Sequence, residues 1–304
     1  MTKPKIVLSR CFIKPVRYDG GIVNDEFVDR LFAYVDYITP CPEEDIGLGV
    51  PRPRIIIVES EGQRRLIQPD TGRDLTEVMN DYLNKMLNEL GDVDGFVLKA
   101  KSPSCGVSSA KLYRNDVVIG KTDGFFASAV KKVFPYLPLE DEGRLKNRDI
   151  RDHFLVRIFA YSDFRDLVKS ATASKLVEFH SKYKYLLMTY SQKSLKELGK
   201  IVADGTMSLE EKLSRYKAIF YQAFVKRPSR RRHVNTLMHL IGQISKRLSQ
   251  KERAHLIDLI EKYGRGLMDL RVIIELLRSF SLRFEEQYVL MQKYLDPYPE
   301  ALNV

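Results

Sequence analysis

The spacing of apolar positions divides the chain into two halves of different character. In the first half, short runs of β-branched and aromatic residues at 5–9, 34–39 and 96–100 predict strands. Over residues 74–90 apolar side chains recur every three or four positions, which predicts an amphipathic helix that ends at Gly91. The first half therefore alternates between strand and helix patterns.

A hairpin and two further helices complete the elements predicted for the first half. Segments 55–60 and 64–68 flank a short polar turn, as the two strands of a β-hairpin do. Helical spacing covers 25–35 and 125–134, and the second of these segments stops before Pro135. Because strands alternate with helices, we expect an open α/β domain with a mostly parallel sheet.

The second half has helical periodicity almost throughout. Between residues 164 and 295, apolar side chains return at intervals of three and four, as Leu237, Ile241 and Ile244 illustrate. This pattern predicts a helical bundle. We therefore expect two domains, an α/β domain over 1–145 and an all-α helical domain over 146–304.

Charge supports the division into two domains. The 304 residues carry a net charge of +10. Residues 1–150 hold 22 basic and 23 acidic residues, whereas residues 151–304 hold 28 and 17, so almost all of the excess lies in the second half. The sequence has no run of about 18 apolar residues and no apolar signal core at its start. We expect a cytoplasmic protein with no membrane partner.

The three cysteines of the chain each follow a predicted strand. Because the carboxyl ends of parallel strands meet at one edge of a sheet, Cys11, Cys41 and Cys105 are expected to lie together. The first 150 residues contain no C-x-x-C and no histidine, which argues against a zinc site. Three thiolates can hold a 4Fe–4S cluster and leave its fourth iron open for substrate. The alternative is three buried thiols that act as small apolar side chains.

Polar side chains near the cysteines are candidates for the chemistry. Glu43 lies two residues after Cys41 and either acts as acid and base or forms a solvated turn. Ser102 and Ser104 precede Cys105 and either donate a hydrogen bond to a substrate or a cluster sulfur, or cap their loop. Arg17 either neutralises an anionic substrate or holds its own loop.

The densest basic segment is KRPSRRRH at 226–233. Its Arg230, Arg231 and Arg232 are candidates for contacts with nucleic-acid phosphates. The alternative is a solvated segment that leads into a helix, and no recognised nucleic-acid motif accompanies it.

Four segments of the first half resemble one enzyme family, and three segments of the second half resemble a domain that is often fused to it. The first four are C-x5-RYDGG at 11–21, TPCPEEDIGLGVPRP at 39–53, GRDLT at 72–76 and LKAKSPSCG at 98–106. They resemble the TudS-like family of iron–sulfur thiouracil desulfidases. The segments at 179–203, 235–249 and 294–299 resemble the YbgA-like domain.

The resemblance implies a function and a set of site residues. It implies a 4Fe–4S cluster held by Cys11, Cys41 and Cys105, and it assigns the catalytic acid to Glu43 and the catalytic hydroxyl to Ser102. The implied activity is a non-redox desulfidase of sulfur metabolism, which takes sulfur from a 2-thiouracil-type pyrimidine at the open iron and releases sulfide. In an aerobic preparation such a cluster is expected to be absent or degraded.

Two alternatives to a desulfidase stay open from the sequence. One is a different cluster enzyme, either a dehydratase-type Lewis acid or a sulfur carrier. The other is a nucleic-acid-binding or sensor protein whose cluster is structural or regulatory.

Overall fold

The computed structural model describes residues 2–303 and divides the chain into two compact units. The first unit comprises Met1–Ser162 and Tyr298–Val304, and the second comprises Asp163–Pro297. Within residues 2–303, no helix combines the length and the apolar character needed to cross a membrane.

The first unit contains all nine strands of the described chain and five complete helices. Its strands are β1 (Lys5–Leu8), β2 (Asp36–Ile38), β3 (Ile56–Ser60), β4 (Gln63–Gln68), β5 (Arg73–Asp74), β6 (Gly95–Leu98), β7 (Ala110–Arg114), β8 (Val117–Thr122) and β9 (Leu139–Asp141). Its helices are α1 (Glu26–Leu31), α2 (Pro42–Asp45), α3 (Thr76–Glu89), α4 (Phe125–Val133) and α5 (Glu142–Leu145). The helix that follows, α6 (Arg148–Lys169), runs on into the second unit.

The central sheet of the first unit is parallel, as the sequence predicts. Its strand order is β2-β1-β6-β9, and every neighbouring pair runs parallel. The side chains of β1 from Ile6 to Leu8 and of β6 from Phe96 to Leu98 are fully buried. Burial on both faces is typical of parallel sheets that are covered by helices. The predicted α/β class of this unit is confirmed.

A second, mixed sheet has the order β5-β4-β3-β7-β8. The predicted hairpin is present as the antiparallel pair β3 and β4, and β3 also pairs in parallel with β7. The sequence analysis did not predict β7, β8 or β9. In β8 the neighbouring residues Val117, Val118 and Ile119 are all exposed, so this edge strand shows no alternation of apolar and polar positions.

The first unit extends beyond residue 145, where the sequence analysis placed the domain boundary. The physical reason lies in α6, whose Phe154, Leu155 and Ile158 are buried in one core cluster with Ile6 and Leu8 of β1. The first two thirds of α6 therefore belong to the α/β unit by packing.

The second unit is helical, and the predicted all-α class is confirmed. After α6 its helices are α7 (Ala173–Tyr190), α8 (Gln192–Ala203), α9 (Leu209–Ala223), α10 (Arg230–Ile244), α11 (Gln250–Gly264), α12 (Leu270–Arg283) and α13 (Gln287–Leu290). Aromatic rings form much of its core: the Phe164 ring stacks on Tyr216 at 5.6 Å between centroids and contacts Phe220 at 5.7 Å. Ser249 begins α11 with a capping box, in which its side chain and that of Glu252 satisfy each other's backbone N–H groups.

Candidate functional site

The carboxyl edge of the parallel sheet carries all three cysteines. Cys11 lies in a 3-10 turn after β1, Cys41 precedes the first residue of α2 after β2, and Cys105 lies in a turn after β6. Since β2, β1 and β6 are adjacent strands, the three loops are neighbours at this edge. Residues that are distant in the sequence are brought together in the way that the strand pattern predicts.

The three thiols are free and buried, and they influence one another. Cys11 and Cys41 pack with Val16 in one small cluster. Burial, together with the nearby Cys41, raises the pKa of Cys11 to about 12. Burial also raises the pKa of Cys105, to which the charges of Cys11 and Cys41 contribute. Three thiols that oppose one another's ionisation form a donor set that is suited to a cationic metal group.

The three thiols form the candidate donor set for a metal group. Across residues 2–303, no three or more His, Cys, Asp or Glu side chains are arranged to hold one metal ion. An iron–sulfur cluster binds each thiolate through a different iron, so its ligands do not have to converge on one point. Three thiols on separate loops at one sheet edge are the kind of ligands that such a cluster uses.

The first and second cysteine loops are joined by charged side chains. Arg10 donates to Glu44 Oε2 and to Asp45 Oδ1, each at 2.7 Å. The other oxygen of Asp45 accepts the backbone N–H of Cys41 at 3.1 Å and the hydroxyl of Tyr82 at 2.6 Å. One carboxylate thus fixes the Cys41 turn to the residue that precedes Cys11.

A buried serine joins the first and third loops. Ser9 Oγ accepts the backbone N–H of Lys99 at 3.0 Å, and the Ser9 side chain also hydrogen-bonds Cys105. Ser9 is 2% exposed. The hydroxyl therefore contacts the strand end that leads to Cys105 as well as Cys105 itself.

The second and third loops are joined through Glu43. Its Oε1 accepts hydrogen bonds from Ser104 Oγ at 3.0 Å and from Ser102 Oγ at 3.3 Å. Its Oε2 accepts two N–H groups of Arg52, at 2.9 and 2.7 Å. Glu43 is 9% exposed and Arg52 is 7% exposed. The solvated-turn interpretation of Glu43 is therefore excluded, because the carboxylate is buried with a guanidinium partner.

Both serines that the sequence analysis selected lie at this carboxylate. Ser102 Oγ also accepts the backbone N–H groups of Ser104 and Cys105, each at 3.1 Å. Its hydroxyl hydrogen is then directed at Glu43. Ser102 thus stabilises the Cys105 turn and also donates to Glu43. Ser104 is fully buried, and its hydroxyl donates to Glu43.

The arginines of the two remaining predictions are not among the partners in these hydrogen bonds. Arg17 forms an ion pair with Asp19 at 3.1 Å, within the turn that its backbone closes with Gly20. Its role toward substrate stays a prediction. Arg230, Arg231 and Arg232 are exposed in the first turn of α10, and Arg232 donates to the carbonyl of Tyr190. Their role toward nucleic acid also stays a prediction.

The sequence analysis did not select Arg52 as a site residue, although Arg52 lies in the segment GVPRP that it quoted. Arg52 also donates to the carbonyls of Gly49 at 2.9 Å and Val16 at 3.0 Å, so it holds the surrounding loops as well as Glu43. The only signal in the sequence is an arginine between two prolines, a position that most often lies at the surface.

Replacing Arg52 by methionine is expected to destabilise the fold by about 3–5 kcal/mol, because it leaves the Glu43 carboxylate buried without its charged partner. Urea unfolding of both proteins gives the difference in the free energy of unfolding. Arg54→Met is the matched control, since Arg54 is exposed two residues later. Equal losses in the two variants would contradict a structural role for the Arg52–Glu43 pair.

Two family models match separate stretches of the chain. Residues 6–142 match the family model described as 2-thiouracil desulfurase, and residues 184–299 match DUF1722, a protein of unknown function. The protein named "Uncharacterized protein YbgA" from Escherichia coli (strain K12) is 27% identical over 156 residues, which cover 50% of this chain and 92% of that protein. The solved structure of the 4Fe-4S-dependent thiouracil desulfidase TudS is 26% identical, with a TM-score of 0.38, and the match covers 47% of this chain and 94% of that one.

Proposed function

We propose that this chain, which joins a TudS-like domain to a YbgA-like domain, is a desulfidase that removes sulfur from a thiolated pyrimidine of the 2-thiouracil type. The match of residues 6–142 to the 2-thiouracil desulfurase model carries the proposal. Water and the thiolated pyrimidine give the oxo-pyrimidine and hydrogen sulfide, so both protons of the water leave on sulfur and no redox change occurs. We assign the reaction to the domain of residues 1–145, and not to the helical domain of 146–304.

Cys11, Cys41 and Cys105 are the residues that would hold a 4Fe–4S cluster. The support is their place at one sheet edge, their free thiols and their mutual electrostatic influence. When bound, the cluster supplies an iron without a protein ligand, which is a Lewis acid with affinity for sulfur. Free thiols suit a reducing compartment, so a cytoplasmic location is part of the proposal.

Glu43 is the acid and base of the proposed reaction. Its Oε2 accepts two N–H groups of the charged Arg52, whereas Oε1 accepts only from neutral hydroxyls. We therefore assign to Oε1 the transfer of a proton from the attacking water to the departing sulfur. The hydroxyls of Ser102 and Ser104 hold Oε1 at a fixed position. In the proposal Ser102 positions the substrate next to this oxygen.

The test is anaerobic reconstitution with iron and sulfide, removal of the excess reagents, and then turnover of 2-thiouracil. We expect about four irons per chain and sulfide release that depends on 2-thiouracil. Reconstituted protein without substrate, and protein without iron given substrate, are the controls. A cluster without sulfide release would contradict 2-thiouracil as substrate, and a lack of iron uptake would return the cysteines to the buried-thiol interpretation.

A further inference from the structure

A further ion pair lies at the carboxyl edge of the parallel sheet, and the proposed reaction does not use it. Lys99 directly follows β6 and Glu142 directly follows β9. The Lys99 Nζ lies 2.5 Å from Glu142 Oε1 and also donates to the carbonyl of Ala100 at 2.9 Å. The other oxygen of Glu142 accepts the backbone N–H of Ala100 at 2.6 Å. The ammonium is therefore held in place by two oxygens.

The strand register explains why these two residues meet. Because β6 and β9 run parallel with Leu98 opposite Asp141, the next residues along the two strands, Lys99 and Glu142, emerge side by side. Glu142 is 8% exposed, so the pair is shielded from water on the carboxylate side. A pair with little exposure keeps more of its electrostatic influence on its surroundings than a pair at the surface.

The pair lies close enough to the cysteines to act on their charge. The backbone N–H of Lys99 donates to Ser9 Oγ, two residues before Cys11. The Ser9 side chain also hydrogen-bonds Cys105. Lys99 and Glu142 follow the neighbouring strands β6 and β9, and β6 is also the neighbour of β1, which leads to Cys11. The ion pair therefore adjoins the loops of Cys11 and Cys105 at the same sheet edge.

Charge of this kind matters for an iron–sulfur centre. Three thiolates in a buried site concentrate negative charge, and a fixed cation beside them offsets part of it. The reduction potentials of iron–sulfur clusters depend on the charge, hydrogen bonding and exposure around them.

We propose that Lys99 is a positioning residue that compensates the negative charge of the cysteine site, and that Glu142 holds its ammonium there, so that the pair sets the reduction potential of the bound cluster. This inference rests on the proposed function, since it requires a cluster at Cys11, Cys41 and Cys105. Removal of the positive charge disfavours the more negative, reduced cluster. Removal of the carboxylate has the opposite effect.

The test compares the midpoint potentials of reconstituted wild type, Lys99→Met, Glu142→Gln and the double variant at one pH, in redox titrations followed by electron paramagnetic resonance. We expect a lower potential for Lys99→Met, a higher one for Glu142→Gln, and an intermediate value for the double variant. Lys99→Arg should stay near wild type, since it keeps the charge. Lys101→Met is the matched control, because Lys101 is exposed two residues later and should shift the potential less.

Shifts of opposite sign in the midpoint potentials of Lys99→Met and Glu142→Gln distinguish an electrostatic role of the pair from a structural one. Loss of a purely structural contact would disturb the cluster in the same direction whichever partner is removed, so equal or absent shifts would overturn the inference. If Lys99→Met takes up no cluster, Glu142→Gln decides alone, and an unchanged or lowered potential would overturn the inference. A wild type without a cluster refutes the proposed function as well, whereas a normal wild-type cluster with unshifted variants refutes only the role of the pair.

Discussion

Replacing Cys105 by alanine is expected to abolish stable cluster uptake and to lower the iron content from about four per chain to nearly none. The same result is expected for Cys11→Ala and for Cys41→Ala, because each thiolate would bind a different iron and no other cysteine exists to replace it. Iron and acid-labile sulfide are counted after anaerobic reconstitution, together with the visible absorption of the cluster.

The fold serves as the control for the cysteine variants. All three thiols are buried, so their replacement by alanine is expected to cost about 1 kcal/mol of unfolding free energy, the ordinary cost of a point substitution. Urea unfolding of the apo-proteins measures this cost. A variant that folds normally and still binds a full complement of iron would remove that cysteine from the ligand set.

Glu43→Gln is expected to lower the rate of sulfide release by about 10²–10⁴-fold while the iron content stays at the wild-type level. The amide keeps the size of the side chain but cannot take a proton from water at the position of Oε1. The measurement is kcat for sulfide release from 2-thiouracil, with iron content and absorption spectrum recorded on the same sample.

Glu44→Gln is the matched control for this variant. Glu44 is the next residue along α2 and pairs with Arg10 at a partly exposed position, where such a pair contributes about 0–1 kcal/mol. We expect its turnover to stay close to wild type. Near-normal turnover of Glu43→Gln would reject the acid and base role, and equal losses in both variants would assign the effect to α2 rather than to the carboxylate.

The central sheet and the grouping of the three cysteines at one edge could be predicted from the sequence for a physical reason. Strands that are buried on both faces appear as continuous apolar runs, and the residues after their carboxyl ends are then placed by the parallel sheet itself. Cys11 and Cys41 follow strands that are adjacent in the sheet, and the strand pattern located both loops to within a few residues.

The partner of the Glu43 carboxylate, the Lys99–Glu142 pair and the packing of α6 could not be predicted in this way. Arg52 reaches Glu43 because the intervening nine residues fold back on themselves, and loop paths leave no periodic signal. Glu142 was missed because β9 has the sequence Leu-Glu-Asp, in which a single apolar residue gives no strand pattern. The extension of the first unit into α6 was missed because a helix that packs against a sheet and one that packs in a bundle show the same spacing.

The first unit is discontinuous along the chain. Leu302 is fully buried in the same core cluster as Ile6 and Phe154, and the Tyr298 hydroxyl donates to Asp152 at 2.9 Å. Domains generally fold in order from the N-terminus during synthesis. Here the ribosome makes residues 298–303 only after the whole helical unit. The core of the α/β unit therefore cannot be completed until the helical unit has been synthesised. An excised α/β unit that ends at residue 162 would therefore lack part of its own core, whereas one that carries residues 298–303 on a short linker would restore it.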